Sequence, residues 1–191
     1  ALVALVVSGI GPKDRFTWVL EVAPVIVGAP VLLATARRFP LTPLLYRLVF
    51  LHALVLMLGG HYTYAEVPLG EWVKEAFGLA RNHYDRLGHL MQGFVPAVLA
   101  REVFLRRSPL RPGGWLRLCV TSVCLAFSAL YELIEWAAAL ATGEAATAFL
   151  GTQGDVWDTQ WDMFLALCGA LLAQALLARL HDRQLARLPR G

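Results

Sequence analysis

The chain has 191 residues, 58% of them apolar, with a mean hydropathy of +0.56 and a net charge of +3. That composition excludes a soluble domain of ordinary surface and describes a polytopic, all-α membrane protein forming one transmembrane domain over residues 1–191. The charge gives no argument for a nucleic-acid partner, because the basic residues sit in short loops where membrane topology uses them. Cys119, Cys124 and Cys168 lie inside apolar runs without metal-ligand spacing and read as small core residues.

Against the ~20 residues that a bilayer core requires, the chain divides into about six spans. Ala1–Gly11 is short and reads as the surviving end of a longer first span; Phe16–Ala36 and Leu44–Gly60 follow. After Gly60–Pro68 comes Leu69–Ala80, where Leu69, Trp72, Val73, Ala76 and Phe77 make an apolar stripe beside Glu71, Lys74 and Glu75. This stripe predicts a short helix lying in the membrane interface of an outer loop. The remaining spans are Arg86–Leu105, Trp115–Ala141 and Trp161–His181. Pro24, Pro30 and Pro96 fall inside spans, which neighbouring helices make tolerable. Ala166, Gly169, Ala170 and Ala173 predict close helix packing along the last span. The loop Thr142–Gln160 holds an apolar Ala145–Leu150 segment that reads equally as a pocket cap or a plain connector, and its Glu144 reads as solvated.

If six spans alternate, twelve of the seventeen Lys and Arg residues fall on one side: Arg37, Arg38, Arg47, Arg101, Arg106, Arg107, Arg111, Arg117, Arg179, Arg183, Arg187 and Arg190. The positive-inside rule then puts both termini in the cytoplasm of a bacterial inner membrane. The same alternation sends most acids to the outer side. Asp155, Asp158 and Asp162, at i, i+3 and i+7, share one helix face at the mouth of the last span. Asp85, His89 and Gln92 share another at the start of the fourth, Glu132 and Glu135 lie a turn apart near the end of the fifth, Glu21 lies a turn into the second, and His61 closes the third. Ionisable groups at membrane depth are costly unless they pair or face a cavity, so five helices are expected to bring these groups to one shared site. Arg86 is the one strong cation expected near them, and a single guanidinium cannot neutralise so many acids.

His61–Pro68, Asn82-His83-Tyr84-Asp85-Arg86, Tyr131–Trp136 and Gly151–Met163 resemble the YjdF family of bacterial inner-membrane proteins over nearly the whole chain, starting near Arg15-Phe16-Thr17-Trp18. The resemblance implies an inner-membrane location and a helical bundle, and it implies no reaction. More distantly, Asp85…His89, then Glu132, then Asp155 and Asp162 are similar in order to the acidic pattern of VanZ-like membrane proteins, which are linked to glycopeptide tolerance. The Asn and Gly that follow the last acid in that pattern are not cleanly present here.

Three functions fit the residues. The leading one is a divalent-metal or cationic-ligand site, with metal-assisted chemistry on a lipid or lipid-linked substrate at the outer leaflet. Carboxylates and imidazoles suit Zn²⁺, Mn²⁺ or Fe-type ions, and such an ion lowers the pKa of bound water toward neutrality. Asp85, His89 and Asp158 are the expected catalytic residues. His89, Glu132, Glu135, Asp155, Asp158 and Asp162 are the expected metal ligands, with His61 and His83 around them. The alternatives are an ion or proton-coupled transporter, and a structural or partner-binding subunit held by a buried salt-bridge network. His52, alone in an apolar span, reads as a packing histidine.

Overall fold

The computed structural model describes residues 2–143 and 147–188; Glu144, Arg190 and the first residues of the Ala145–Leu150 segment lie outside them. In chain order the helices are α1 (Leu2–Ser8), α2 (Arg15–Thr35), α3 (Pro43–Tyr62), α4 (Pro68–Phe77), α5 (Tyr84–Arg107), α6 (Gly114–Thr142), the single turn α7 (Thr147–Leu150) and α8 (Asp158–Leu185). The fold is all-helical among the described residues. Helices α2, α3, α6 and α8 are each long and apolar enough to cross a membrane. At 24 residues α5 is about 36 Å long, which also suffices, but it carries too many ionisable groups to be recognised by apolarity.

Local chemistry sets the helix ends. Asp14 caps α2 by accepting the Thr17 N–H at 2.6 Å, and Thr42 caps α3 with Pro43 at the first helical position. Pro68 opens α4, and Gly78 closes it at φ 63°, a left-handed conformation that a Cβ would disfavour. Leu69, Trp72 and Phe77 of α4 are exposed, so its apolar stripe points away from the protein, as an interface helix requires.

The polar helix α5 is the centre of the bundle. It packs most extensively on α8 and also against α6 and α3, while α2 leans on α3. The α5–α8 contact is backbone to backbone: a Cβ at Gly93 would collide with the Ala166 carbonyl, and one at Gly169 with the Leu90 carbonyl. The small residues of the last span therefore do what their spacing predicts. Val27, Leu33, Phe127, Leu133, Leu140 and Leu176 are exposed around the bundle, an apolar girdle of the kind a bilayer covers.

The two ends differ inside. Toward the arginine-rich end the core is apolar, built from Leu45, Val98, Leu116, Val120, Cys124 and Ala170. Beneath it a polar clamp joins three helices. Glu102 accepts from the Thr42 hydroxyl at 2.8 Å, from Arg106 at 2.8 Å and from His181 Nε2 at 2.9 Å, while Arg101 lies 3.0 Å from His181 Nδ1. Arg101 can only donate, so Nδ1 accepts and Nε2 carries the proton given to Glu102. At the other end the interior is charged, and there the candidate site lies.

Candidate functional site

The N-terminal ends of α2, α5 and α8 and the C-terminal part of α6 meet at one level. Glu21 comes from α2, Asp85 and His89 from α5, Glu132 and Glu135 from α6, and Asp158 and Asp162 from α8; all seven are buried. His89 stands in the middle. Its Nε2 is 3.4 Å from Asp85 Oδ1 and 3.8 Å from Asp162 Oδ2, and its Nδ1 is 3.9 Å from Glu132 Oε1. Two groups of ligand-type atoms share this imidazole, Asp85–His89–Asp162 and His89–Glu132–Glu135, with all atoms of each group within 4.8 Å of one another. Metal bonds of ~2.0–2.2 Å at a tetrahedral angle hold ligand atoms roughly 3.3–3.6 Å apart, so the donor set fits a small divalent ion with minor closure.

The satisfaction of these groups is incomplete. Asp85 Oδ2, His89 Nδ1, Glu132 Oε1 and Asp162 Oδ1 are buried and lack a hydrogen-bond partner among the described residues. Native interiors pair nearly all such atoms, because an orphan costs about 1–3 kcal/mol. Three such carboxylate oxygens therefore lie around one imidazole whose Nδ1 is itself without a hydrogen-bond partner among the described residues.

A second layer sits above the first. Arg81 is buried and donates to Asp158 Oδ1 at 2.6 Å, to Asp155 Oδ2 at 3.3 Å and to the Gly151 carbonyl at 3.3 Å; its guanidinium is also 3.8 Å from Asp85. Arg86 takes the same Asp155 oxygen at 2.6 Å and lies over the Trp161 ring. The segment that presents Arg81 is fixed by Asn82, which is fully buried. Its amide donates to the Val67 carbonyl and to Glu71, and its backbone exchanges hydrogen bonds with the Gln153 side chain. A Cβ at Gly70 would collide with Asn82, so the interface helix α4 is keyed to this segment. His83, half-buried beside it, is held below its ordinary pKa by burial and then by Arg86 and Arg81.

Beside the acids a cavity of about 290 Å³ runs into the middle of the bundle. Asp85, His89, Glu21 and Glu135 line its upper wall, with Gln92 on the same α5 face, and Leu56, Pro96, Leu99 and His52 line its floor. Pro24 of α2 and Phe127 of α6 also line it, yet both are exposed, so the cavity wall reaches the lipid-facing surface between those helices. His52 Nε2 is buried without a hydrogen-bond partner among the described residues, at the floor of this space.

The structure brings Asp85, His89, Glu132, Glu135 and Asp162 together. Asp155 and Asp158 lie in the upper layer, engaged by Arg81 and Arg86 rather than gathered on His89. Four helices, not five, supply the site: His61 Nδ1 lies 2.9 Å from the Ser8 carbonyl, because the end of α3 packs on α1. Arg86 is not the lone cation near the acids either. Arg81 carries the more central role, and the signal for it was its place on the acid-rich side, four residues before Asp85.

The family model described as "Predicted membrane protein (DUF2238)" matches residues 1–183. The chain belongs to that family. A curated relative, the inner membrane protein YjdF of Escherichia coli (strain K12), is 58% identical over 183 residues, which are 96% of this chain and 88% of that protein. No solved structure matches. This DUF2238 chain is therefore an integral membrane protein, and its lipid-covered girdle and acid cluster are properties of a bilayer-embedded bundle.

Proposed function

We propose that this protein is a multi-pass inner-membrane protein with both termini cytoplasmic, whose outward-facing His89 site binds a divalent metal ion and uses it on a lipid or lipid-linked substrate. The observation that carries the reading is the set of four orphaned buried atoms on Asp85, His89, Glu132 and Asp162. Charge supports it. Glu21, Asp85, Glu132, Glu135, Asp155, Asp158 and Asp162 make seven carboxylates, against the two guanidiniums of Arg81 and Arg86. A low-dielectric site holds that excess only by taking up protons or another cation.

In this reading His89, Asp85 and Asp162 hold the ion, with Glu132 and Glu135 completing the set or serving as base for a bound water. Asp155 and Asp158 anchor Arg81, which closes the outer mouth and offers a guanidinium to an anionic headgroup. The apolar cavity reaching the surface between α2 and α6 suits a chain that arrives sideways from the bilayer.

A transporter is the second reading, since acids and His52 reach toward the bilayer centre. Leu99 on the cavity floor packs against the apolar core of Leu45, Val98 and Leu116, which argues against a continuous path. Chelator-treated protein titrated with Zn²⁺ or Mn²⁺ tests the proposal. Binding at about a hundred times Kd adds about 2.7 kcal/mol of stability, so melting rises with metal, and His89→Ala abolishes the rise. No rise in wild type, or an equal one in the variant, overturns it. Proton or cation flux in proteoliposomes supports the transporter instead.

A further inference from the structure

At the end opposite the His89 site, four segments enclose a cleft of about 690 Å³. Arg37, Arg38 and Phe39 come from the α2–α3 connection, Arg106 and Arg107 from the last turn of α5, Pro112 from the loop before α6, and Asp182 from α8. Four guanidiniums therefore face a single carboxylate, and Arg101 already engages that Asp182 at 2.8 Å.

This is more than loop charge left by membrane topology. Arg106 is held in place by Glu102 at 2.8 Å and by the Pro40 carbonyl at 2.7 Å, and it lies 3.6 Å from the centre of the Phe39 ring. Arg107 flanks the same ring at 5.1 Å. The wall is thus built on the rigid Glu102 clamp, while Arg37, Arg38 and Arg107 are exposed and make no ion pair among the described residues. A fixed cationic wall with free guanidiniums at its rim is the arrangement that recognises a phosphodiester, because arginine forks match phosphate oxygens in pairs. Its level in the bundle selects the source. The cleft lies at the ends of α2, α5 and α8, where a bilayer presents its headgroups, and the exposed Trp115 at the start of α6 is placed as an interface anchor.

We propose that this arginine cleft is a specific site for the phosphate headgroup of an anionic phospholipid of the cytoplasmic leaflet. It is separate from the His89 site and does not depend on metal binding there. The test is native mass spectrometry of the full chain in detergent with added phosphatidylglycerol, phosphatidylcholine or inorganic phosphate. Wild type retains phosphatidylglycerol in preference to phosphatidylcholine. The variant Arg37→Gln/Arg38→Gln/Arg107→Gln loses affinity on the order of a hundredfold, from roughly fivefold per arginine near a headgroup. Arg179→Gln/Arg183→Gln/Arg187→Gln, which removes as many charges outside the cleft, changes affinity less than about twofold if the cleft is the site. Should the cleft variant fail to fold, Arg37→Gln alone carries the test with a loss of roughly fivefold. Equal losses in both triple variants, or no preference for the anionic lipid, overturn the proposal. Displacement of the lipid by an equal concentration of inorganic phosphate assigns the cleft to a free anion and overturns the lipid.

Discussion

Glu102–His181 and Glu132–His89 are the same pair of side chains buried at opposite ends of one bundle, and their surroundings treat them oppositely. Both oxygens of Glu102 accept hydrogen bonds, and both nitrogens of His181 are engaged. Around His89 the nearest carboxylate oxygens stand at 3.4 to 3.9 Å, and four polar atoms lack hydrogen-bond partners among the described residues. The first cluster is what a structural network looks like when its geometry is complete. The second lacks hydrogen bonds that a complete network would have, which is what the proposed metal site would supply.

That contrast can be broken by substitution, and the effects should descend in a fixed order. Glu102→Ala strands His181 in the interior and takes a partner from Arg106, so it should cost about 3–5 kcal/mol and show as the largest loss of melting temperature in detergent. Arg81→Gln removes the partner of Asp158 and half the neutralisation of Asp155; a loss of about 2–3 kcal/mol is expected, read in the same melting experiment. Asp162→Asn separates the two clusters most sharply. In metal-free protein it relieves like-charge repulsion and should raise stability by about 1 kcal/mol, whereas a salt-bridge network would be weakened by it. Melting after chelation decides between those signs.

The smallest effect concerns pH. The folded protein holds the His83 pKa below its ordinary 6.5, so the folded state binds fewer protons than the unfolded chain as pH falls past that value. Its contribution is complete above pH 6.5 and is lost below it. Melting followed from pH 7 to pH 5 should fall slightly less steeply in His83→Gln than in wild type; identical slopes would remove His83 from the account.

Much of the bundle was legible because lipid makes periodicity unnecessary and apolar length sufficient. The spans Phe16–Ala36 and Leu44–Gly60 lie within a residue or two of α2 and α3, and the Leu69–Ala80 stripe became α4. Central α5 was legible through its charged face, since Asp85, His89 and Gln92 at helical spacing had to point at one place. Arg81 was not, because it sits between two helices where no periodicity assigns it a face. The Glu102–His181 pair spans 79 residues and two helices, and no local pattern couples positions that far apart. The split of the acids into an arginine-held layer and a histidine-centred layer was equally hidden. Asp155, Asp158 and Asp162 share one spacing rule, and only depth distinguishes them.

Elemental analysis of the protein purified in detergent without chelator tests the central claim most directly. The account predicts about one transition-metal ion per chain in wild type and its loss in both His89→Ala and Asp162→Asn, with Glu102→Gln retaining it. Metal-free wild type that melts at the same temperature as the His89 and Asp162 variants would contradict it.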